Sequence, residues 1–317
     1  MGDILQAIVP IFIVVGVGFV ATRAGLFDRG EIATIAKFVV KVALPVLVFT
    51  NVFGRSAGEI FRVTYLLTYA LAALVMYALA FAYVKQRKGP TVRAAFMGLG
   101  MAGTNNGFIG MPMFLILFEH FAGPAIGMDM IVDNVLIIPL ALFIAEQATG
   151  SGSFWERVVH TGKGVLLHPM VLAIILALTL NAIGVTFPDM IDRPIKLLAN
   201  ASTGAALFAV GGMLASMKLR GAGVDIFATV AGKLLVMPAV GLGILIGLHA
   251  LGLPELPSEL KVAAVLTCAL PPFSVLPSLA EPYGEADRGA ASMMLATALS
   301  FLTLSGWMIV LQGFGWL

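Results

Sequence analysis

The chain has 317 residues, 60% of them hydrophobic and 11% charged, with a mean hydropathy of +1.01, which excludes a water-soluble globule and makes it a membrane protein of many spans. A net charge of +2, without a basic run interleaved with aromatics, gives no basis for nucleic-acid binding. Cys268 is the single cysteine, so neither an internal disulfide nor a cysteine-based metal site is available.

Apolar runs of about 20 residues, the length a hydrocarbon core near 30 Å demands of a helix, predict an all-α membrane protein of ten transmembrane helices. The first five lie near Ile4 to Thr22, Ile32 to Phe49, Tyr65 to Val84, Val92 to Phe118 and Ile126 to Ala145. The N-terminus lacks a basic region followed by a short apolar run and a cleavage site, so the first run is read as a retained span. The second five lie near Val165 to Ile183, Ile195 to Leu214, Ala228 to Ala250, Leu260 to Leu279 and Ala290 to Leu311. Residues 149–164 form a weakly apolar linker between a first five-helix repeat, 1–148, and a second, 165–317. An odd number of spans in each half means that related halves are inverted.

Two of these runs are broken. Thr104 to Pro112 reads TNNGFIGMP, and Leu270 to Pro277 reads LPPFSVLP, in which Pro271, Pro272 and Pro277 remove three backbone donors. Lipid offers no partner to a freed backbone group, so each break must face protein or a water-filled cavity. Breaks in the fourth span of each half point to a transporter's binding site. Half-helix N-termini there offer unsatisfied amides to a carboxylate. Asn105, Asn106 and Ser274 add side-chain partners, while Gly107 and Gly110 allow a ligand or a second backbone to approach closely. The expected substrate-binding set is Asn105, Asn106, Gly107, Gly110 and Pro112 from the first break, Pro271, Pro272, Ser274 and Pro277 from the second, and Pro45 and Val46 from the second span.

With the N-terminus outside, eleven Lys and Arg residues fall in cytoplasmic loops (Arg23, Arg29, Lys85, Arg87, Lys88, Arg93, Arg157, Lys163, Lys218, Arg220, Arg288) against five in outer loops. Positive charge accumulates on the cytoplasmic side, so both termini are expected outside.

The stretch AKFVVKVALPVLVF, Ala36 to Phe49, resembles the second span of the auxin efflux carrier family, and Asn105 with Gly110 and Pro112 resembles that family's fourth-span crossover. Gly25-Leu26-Phe27, then Gly204, Phe208 and Gly211, and Ala269-Leu270-Pro271 with Pro277 and Tyr283, add similarity in both halves. The resemblance implies a bacterial inner-membrane carrier of organic anions, auxin-like weak acids or malonate and malate, with a fold similar to bile acid sodium symporters. It also implies a scaffold domain of helices 1, 2, 6 and 7, a transport domain of helices 3–5 and 8–10 that moves as an elevator, and a homodimer joined through the scaffold.

Ionisable residues inside spans mark functional candidates. Asp129 and Asp133 lie four apart on one helical face. Asp133 is expected to bind a coupling proton or sodium ion, and Asp129 to sit at the outer interface. Lys41 is expected to support the cavity, Lys37 and Lys233 to snorkel to the cytoplasmic interface, and Glu146 to be solvated. His120, His160, His168 and His249 lack metal-ligand spacing, and the methionines are read as packing. No nucleotide loop, catalytic carboxylate pair or serine elbow is present, so no cofactor and no enzyme activity are expected. The chain reads as a secondary or potential-driven carrier of a small carboxylate, its partners that anion, the lipid bilayer and a proton or sodium ion. The alternatives are a sodium-coupled symporter and, in another class, an anion channel.

Overall fold

A computed structural model describes residues 2–54, 61–150, 169–216 and 223–317, and for residues 2–8 and 119 the backbone only. Among the described residues every regular element is helical. In order they are α1 (Gly2–Arg23), α2 (Arg29–Phe38), α3 (Leu44–Val52), α4 (Val63–Gln86), α5 (Thr91–Ala102), α6 (Met111–Val132) and α7 (Ile138–Thr149). The later helices are α8 (Pro169–Ala182), α9 (Asp189–Ser216), α10 (Val224–Ala231), α11 (Met237–Ala250), α12 (Ser258–Ala269), α13 (Leu276–Ala280) and α14 (Ala286–Gly313). Among the described residues seven helices are long and apolar enough to cross a membrane, and Val9–Arg23 and Pro169–Ala182 are shorter apolar helices. Most of the expected linker (residues 151–164), together with Arg55, Arg157, His160, Lys163, His168, Lys218 and Arg220, lies outside the described residues.

Among the described residues four π-helical turns interrupt the long helices: Val39–Ala43, Asn106–Gly110, Asp133–Ile137 and Gly232–Val236. Each ends two residues before a proline, namely Pro45, Pro112, Pro139 and Pro238. The cause is local. A proline has no N–H to donate, and its ring collides with the carbonyl four residues earlier, which is the middle residue of the π turn in every case. Widening the turn moves that carbonyl aside and leaves it in need of a donor. At Leu234 the indole Nε1 of Trp307 supplies one, at 3.0 Å.

One difference from expectation concerns the fourth and fifth spans. The fourth span ends at Phe118 as expected, where the backbone leaves the helical region, but the fifth begins at His120 rather than near Ile126.

The chain divides into two compact units: Met1–Arg62, Gly107–Met128 and Lys163–Met217 form the first, and Val63–Asn106, Asp129–Gly162 and Lys218–Leu317 the second. In the first, α1 crosses α9 at Gly18 and Gly211. A Cβ on Gly18 would lie 2.1 Å from the Phe208 carbonyl oxygen, and one on Gly211 1.9 Å from the Val15 carbonyl oxygen. Small residues let spanning helices approach this closely. Helix α2 starts on a capping box in which Asp28 and Glu31 exchange hydrogen bonds of 2.8 Å.

In the second unit α4 buries Tyr65, Tyr69, Ala73, Met76, Tyr77, Ala80 and Val84 along one helical face. A network of ion pairs joins the starts of α5, α10 and α14. Arg93 reaches Asp225 at 3.2 Å and Glu285 at 3.7 Å, Arg288 reaches Glu285 at 3.0 Å, and the Tyr83 hydroxyl donates to Asp225 at 3.2 Å. The network is partly exposed, so solvent screens it. Asp225→Asn is expected to cost about 1 kcal/mol, read as a small fall in the unfolding temperature of detergent-solubilised protein that high salt narrows.

Candidate functional site

Both broken segments belong to the second unit up to Asn106, and there they meet. Helix α5 stops at Ala102 and α12 at Ala269, after which Gly103 and Leu270 are extended. The Asn105 backbone N–H donates to the Pro271 carbonyl at 2.8 Å. Each broken strand thus takes its partner from the other break, as membrane burial requires of non-helical backbone. The contact needs a glycine, because a Cβ on Gly103 would lie 1.8 Å from the buried Phe273 ring.

The two breaks lead into helices of very different length. Beyond the first, the π turn Asn106–Gly110 runs directly into α6, giving a helical run to the kink at Phe118 whose first amides lie at Asn106 and beyond. Beyond the second comes only the five-residue α13, whose dipole is correspondingly small.

Thr104, Asn105 and Asn106 are buried, as are Pro271 and Pro272, while Ser274 and Pro277 are partly buried. The other expected residues belong to the first unit. Gly110, Pro112 and Pro45 are buried there, and Val46 is partly buried. Gly107 lies against Leu44 and Met170, and Lys41 is exposed on its π turn.

Asp133 organises the second unit's interior. Its carboxylate accepts from the Tyr69 hydroxyl at 2.5 Å, the Asn106 amide Nδ2 at 2.6 Å and the Thr104 hydroxyl at 3.3 Å, and the residue is 2% exposed. The same Tyr69 hydroxyl lies 2.8 Å from that of Thr104 and 3.3 Å from the Ala102 carbonyl oxygen. Asn106 Oδ1 is buried and has no hydrogen-bond partner. An acceptor left open beside a carboxylate is a place for a donor or a cation.

Three of the sequence's expectations are corrected here. Asp129, expected at the outer interface, is enclosed by protein instead. It is fully buried, accepting from Thr267 at 2.8 Å and Tyr65 at 3.0 Å. Lys233 does not snorkel. It is fully buried, with Nζ 3.3 Å from the Ala102 carbonyl oxygen and 3.1 Å from Met237 Sδ. Glu146 is 4% exposed rather than solvated, and it accepts from the Tyr283 hydroxyl at 3.1 Å.

Sequence reasoning missed the tyrosines. Tyr65, Tyr69 and Tyr77 share one face of α4, and their hydroxyls reach Asp129, Asp133 and the Ile137 carbonyl, residues likewise spaced at helical intervals. The signal was present: four of the chain's five tyrosines fall in one predicted span. It also missed that Asn106, Asp133, Lys41 and Lys233 all sit on proline-forced π turns. Such turns are frequent at functional sites because they free backbone groups and redirect side chains.

The arrangement therefore combines crossing unwound segments, a helical run beginning at a buried amide, and ionisable groups held by neutral donors. It is equipped to bind and release charged solutes within a membrane, and it contains no activated nucleophile among the described residues. Comparison with known proteins agrees. A family model described as membrane transport protein matches residues 3–308. A protein of Rhizobium meliloti (strain 1021) named as a proposed malonate transporter is 26% identical over 98% of this chain and 97% of its own length. The uncharacterized transporter YfdV of Escherichia coli (strain K12) is 26% identical over 95% of this chain and 94% of its own. Auxin efflux carrier component 8 of Arabidopsis thaliana is 22% identical over 67% of this chain and 72% of its own. The chain belongs to the membrane transport protein family, that of the auxin efflux carriers, whose members are transporters and not enzymes.

Proposed function

We propose that the chain is a carrier of a small organic carboxylate across the bacterial inner membrane, working by alternating access with both termini outside. The observation that carries this reading is the hydrogen bond from Asn105 N–H to the Pro271 carbonyl, which joins two unwound membrane segments in one compact unit beside the buried Asp133 cluster. Discontinuous spans of this kind are where carriers bind substrate and ions. The substrate carboxylate takes the amides that open the Asn106 run and the Asn105 side chain.

In this reading the fold is two inverted five-helix repeats, and the unit bearing the crossover is the moving transport domain. The other unit is the scaffold and carries the dimer contact. For a monoanion, a negative-inside potential supplies about 2.3 kcal/mol per 100 mV towards efflux, so no coupling ion is required. The buried Asp133 favours a second reading, uptake coupled to a proton or sodium ion. The relative named for malonate makes dicarboxylates part of the test.

A panel of mono- and dicarboxylates, with and without sodium, should raise the unfolding temperature for the true substrate. Saturation at 100 times Kd corresponds to about 2.7 kcal/mol. Asn105→Ala keeps the backbone bond to Pro271 and is expected to abolish that stabilisation without unfolding the chain. In proteoliposomes a carrier shows saturable, trans-accelerated flux. Flux that neither saturates nor accelerates points to a channel and overturns the proposal.

A further inference from the structure

Within the second unit Asp129, Asp133 and Lys233 are buried in spanning helices, and no ion pair joins them. Asp133 and Asp129 are held by hydroxyl and amide donors, while the Lys233 amine meets only a carbonyl oxygen and a thioether sulfur. A lysine amine has three protons to donate, and two neutral acceptors serve it poorly. The ionisable groups near it are Cys268, Asp133 and Asp129.

The carbonyl it chooses is the informative one. Ala102 is the last residue of α5, so Lys233 Nζ sits at the C-terminal end of the first half-helix, where the orphan carbonyls and the negative end of the dipole lie. The same carbonyl lies 3.3 Å from the Tyr69 hydroxyl, whose single proton goes to Asp133 at 2.5 Å. One carbonyl and one hydroxyl therefore separate amine from carboxylate. In carriers with discontinuous spans, half-helix C-termini and unwound carbonyls coordinate the coupling cation.

We propose that the Lys233 ammonium is a tethered cation that occupies the place of a coupling ion, balancing Asp133 within the transport unit. This rests on the carrier reading above and decides between its two forms. The positive charge that a symporter borrows from solution is here built into the chain on the π turn before Pro238. Asp133 and Lys233 then cross the membrane as a balanced pair, and the substrate moves under its own gradient and the potential. Lys233 positions and neutralises; it does not touch substrate.

The test is carboxylate flux into proteoliposomes in sodium or choline medium. Wild-type flux is expected to be equal in the two. Lys233→Ala is expected to lower flux in choline by roughly a hundredfold, the order an uncompensated charge within a span carries, and sodium or methylammonium should restore it in large part. Sodium-dependent wild-type flux, full activity of K233A in choline, or a folded K233A that no small cation rescues would each overturn the proposal.

Unfolding temperatures supply a second arm for the case in which K233A does not fold. Lys233→Met and Asp133→Asn are each expected to lower the midpoint, and the double variant to recover towards wild type, because replacing a buried pair costs far less than breaking it. Additive losses refute the pairing. If wild-type protein carries no carboxylate in any medium, the carrier reading fails, and the unfolding cycle still judges the pairing.

Discussion

Asp133→Ala is expected to be the most damaging single change in the second unit, and Asp133→Asn to be mild by comparison. The alanine removes the acceptor shared by Tyr69, Asn106 and Thr104. Two of these donors have alternatives, since the Tyr69 and Thr104 hydroxyls lie 2.8 Å apart and Tyr69 also reaches the Ala102 carbonyl. Asn106 Nδ2 has none described, and a buried orphan donor costs about 1–3 kcal/mol before the vacated volume is counted. The expected loss is about 3 kcal/mol, visible as a marked fall in unfolding temperature.

The asparagine variant behaves differently because Asn106 Oδ1 is at present unpartnered. The introduced amide donates to that oxygen once the Asn106 side chain turns over, which moves Asn106 Nδ2 into the place the open acceptor held, while its own oxygen still accepts from Tyr69 and the packing volume is kept. The exchange of hydrogen bonds accounts for about 1 kcal/mol of the loss expected for Asp133→Asn; the rest comes from the Lys233 charge left unbalanced, and flux falls because the negative charge is gone. Equal unfolding temperatures for the two variants would show that the hydrogen bonds, not the packing volume, had been misassigned.

The sequence shows where backbone chemistry fails more readily than where side chains point. Asn105, Pro271 and Pro272 announce their breaks because glycine, asparagine and proline change which backbone groups can pair, a local property. Lys233 was misplaced because its predicted span began at Ala228, close enough for a long side chain to reach the interface. The helix begins at Val224, nine residues before Lys233, or about 13 Å at 1.5 Å per residue.

Asp129 was misplaced in the same way. A loop was expected before Ile126, whereas the helix runs on from His120. Glu146 and Tyr283 meet across 137 residues, a pairing that no local pattern encodes. The π turns were legible in principle, since a proline four residues after a carbonyl specifies the collision. Which polar residue then shares the turn is a matter of tertiary context.

In the first unit the largest effect is expected from Gly211→Ala. Its Cβ would lie 1.9 Å from the Val15 carbonyl oxygen and 2.7 Å from the Phe19 backbone nitrogen, so no rotamer change relieves the overlap. Helices α1 and α9 would have to part by roughly 1.5 Å to restore ordinary separation. The parting also undoes the approach of Gly18 to the Phe208 carbonyl on the same crossing and the edge-to-face contact of Phe27 with Phe208, whose centroids are 5.2 Å apart.

Overpacking of this kind costs about 1–3 kcal/mol, and a backbone obstacle places it at the upper end. Gly204 on the same helix provides the control. Nothing lies within 4 Å of its Cβ position, so Gly204→Ala should be neutral or stabilising by up to about 1 kcal/mol through helix propensity. Thermal unfolding of the two variants side by side separates loss of a close helix crossing from loss of glycine as such. If both shift the midpoint alike, α1 and α9 are not held by backbone approach at Gly211.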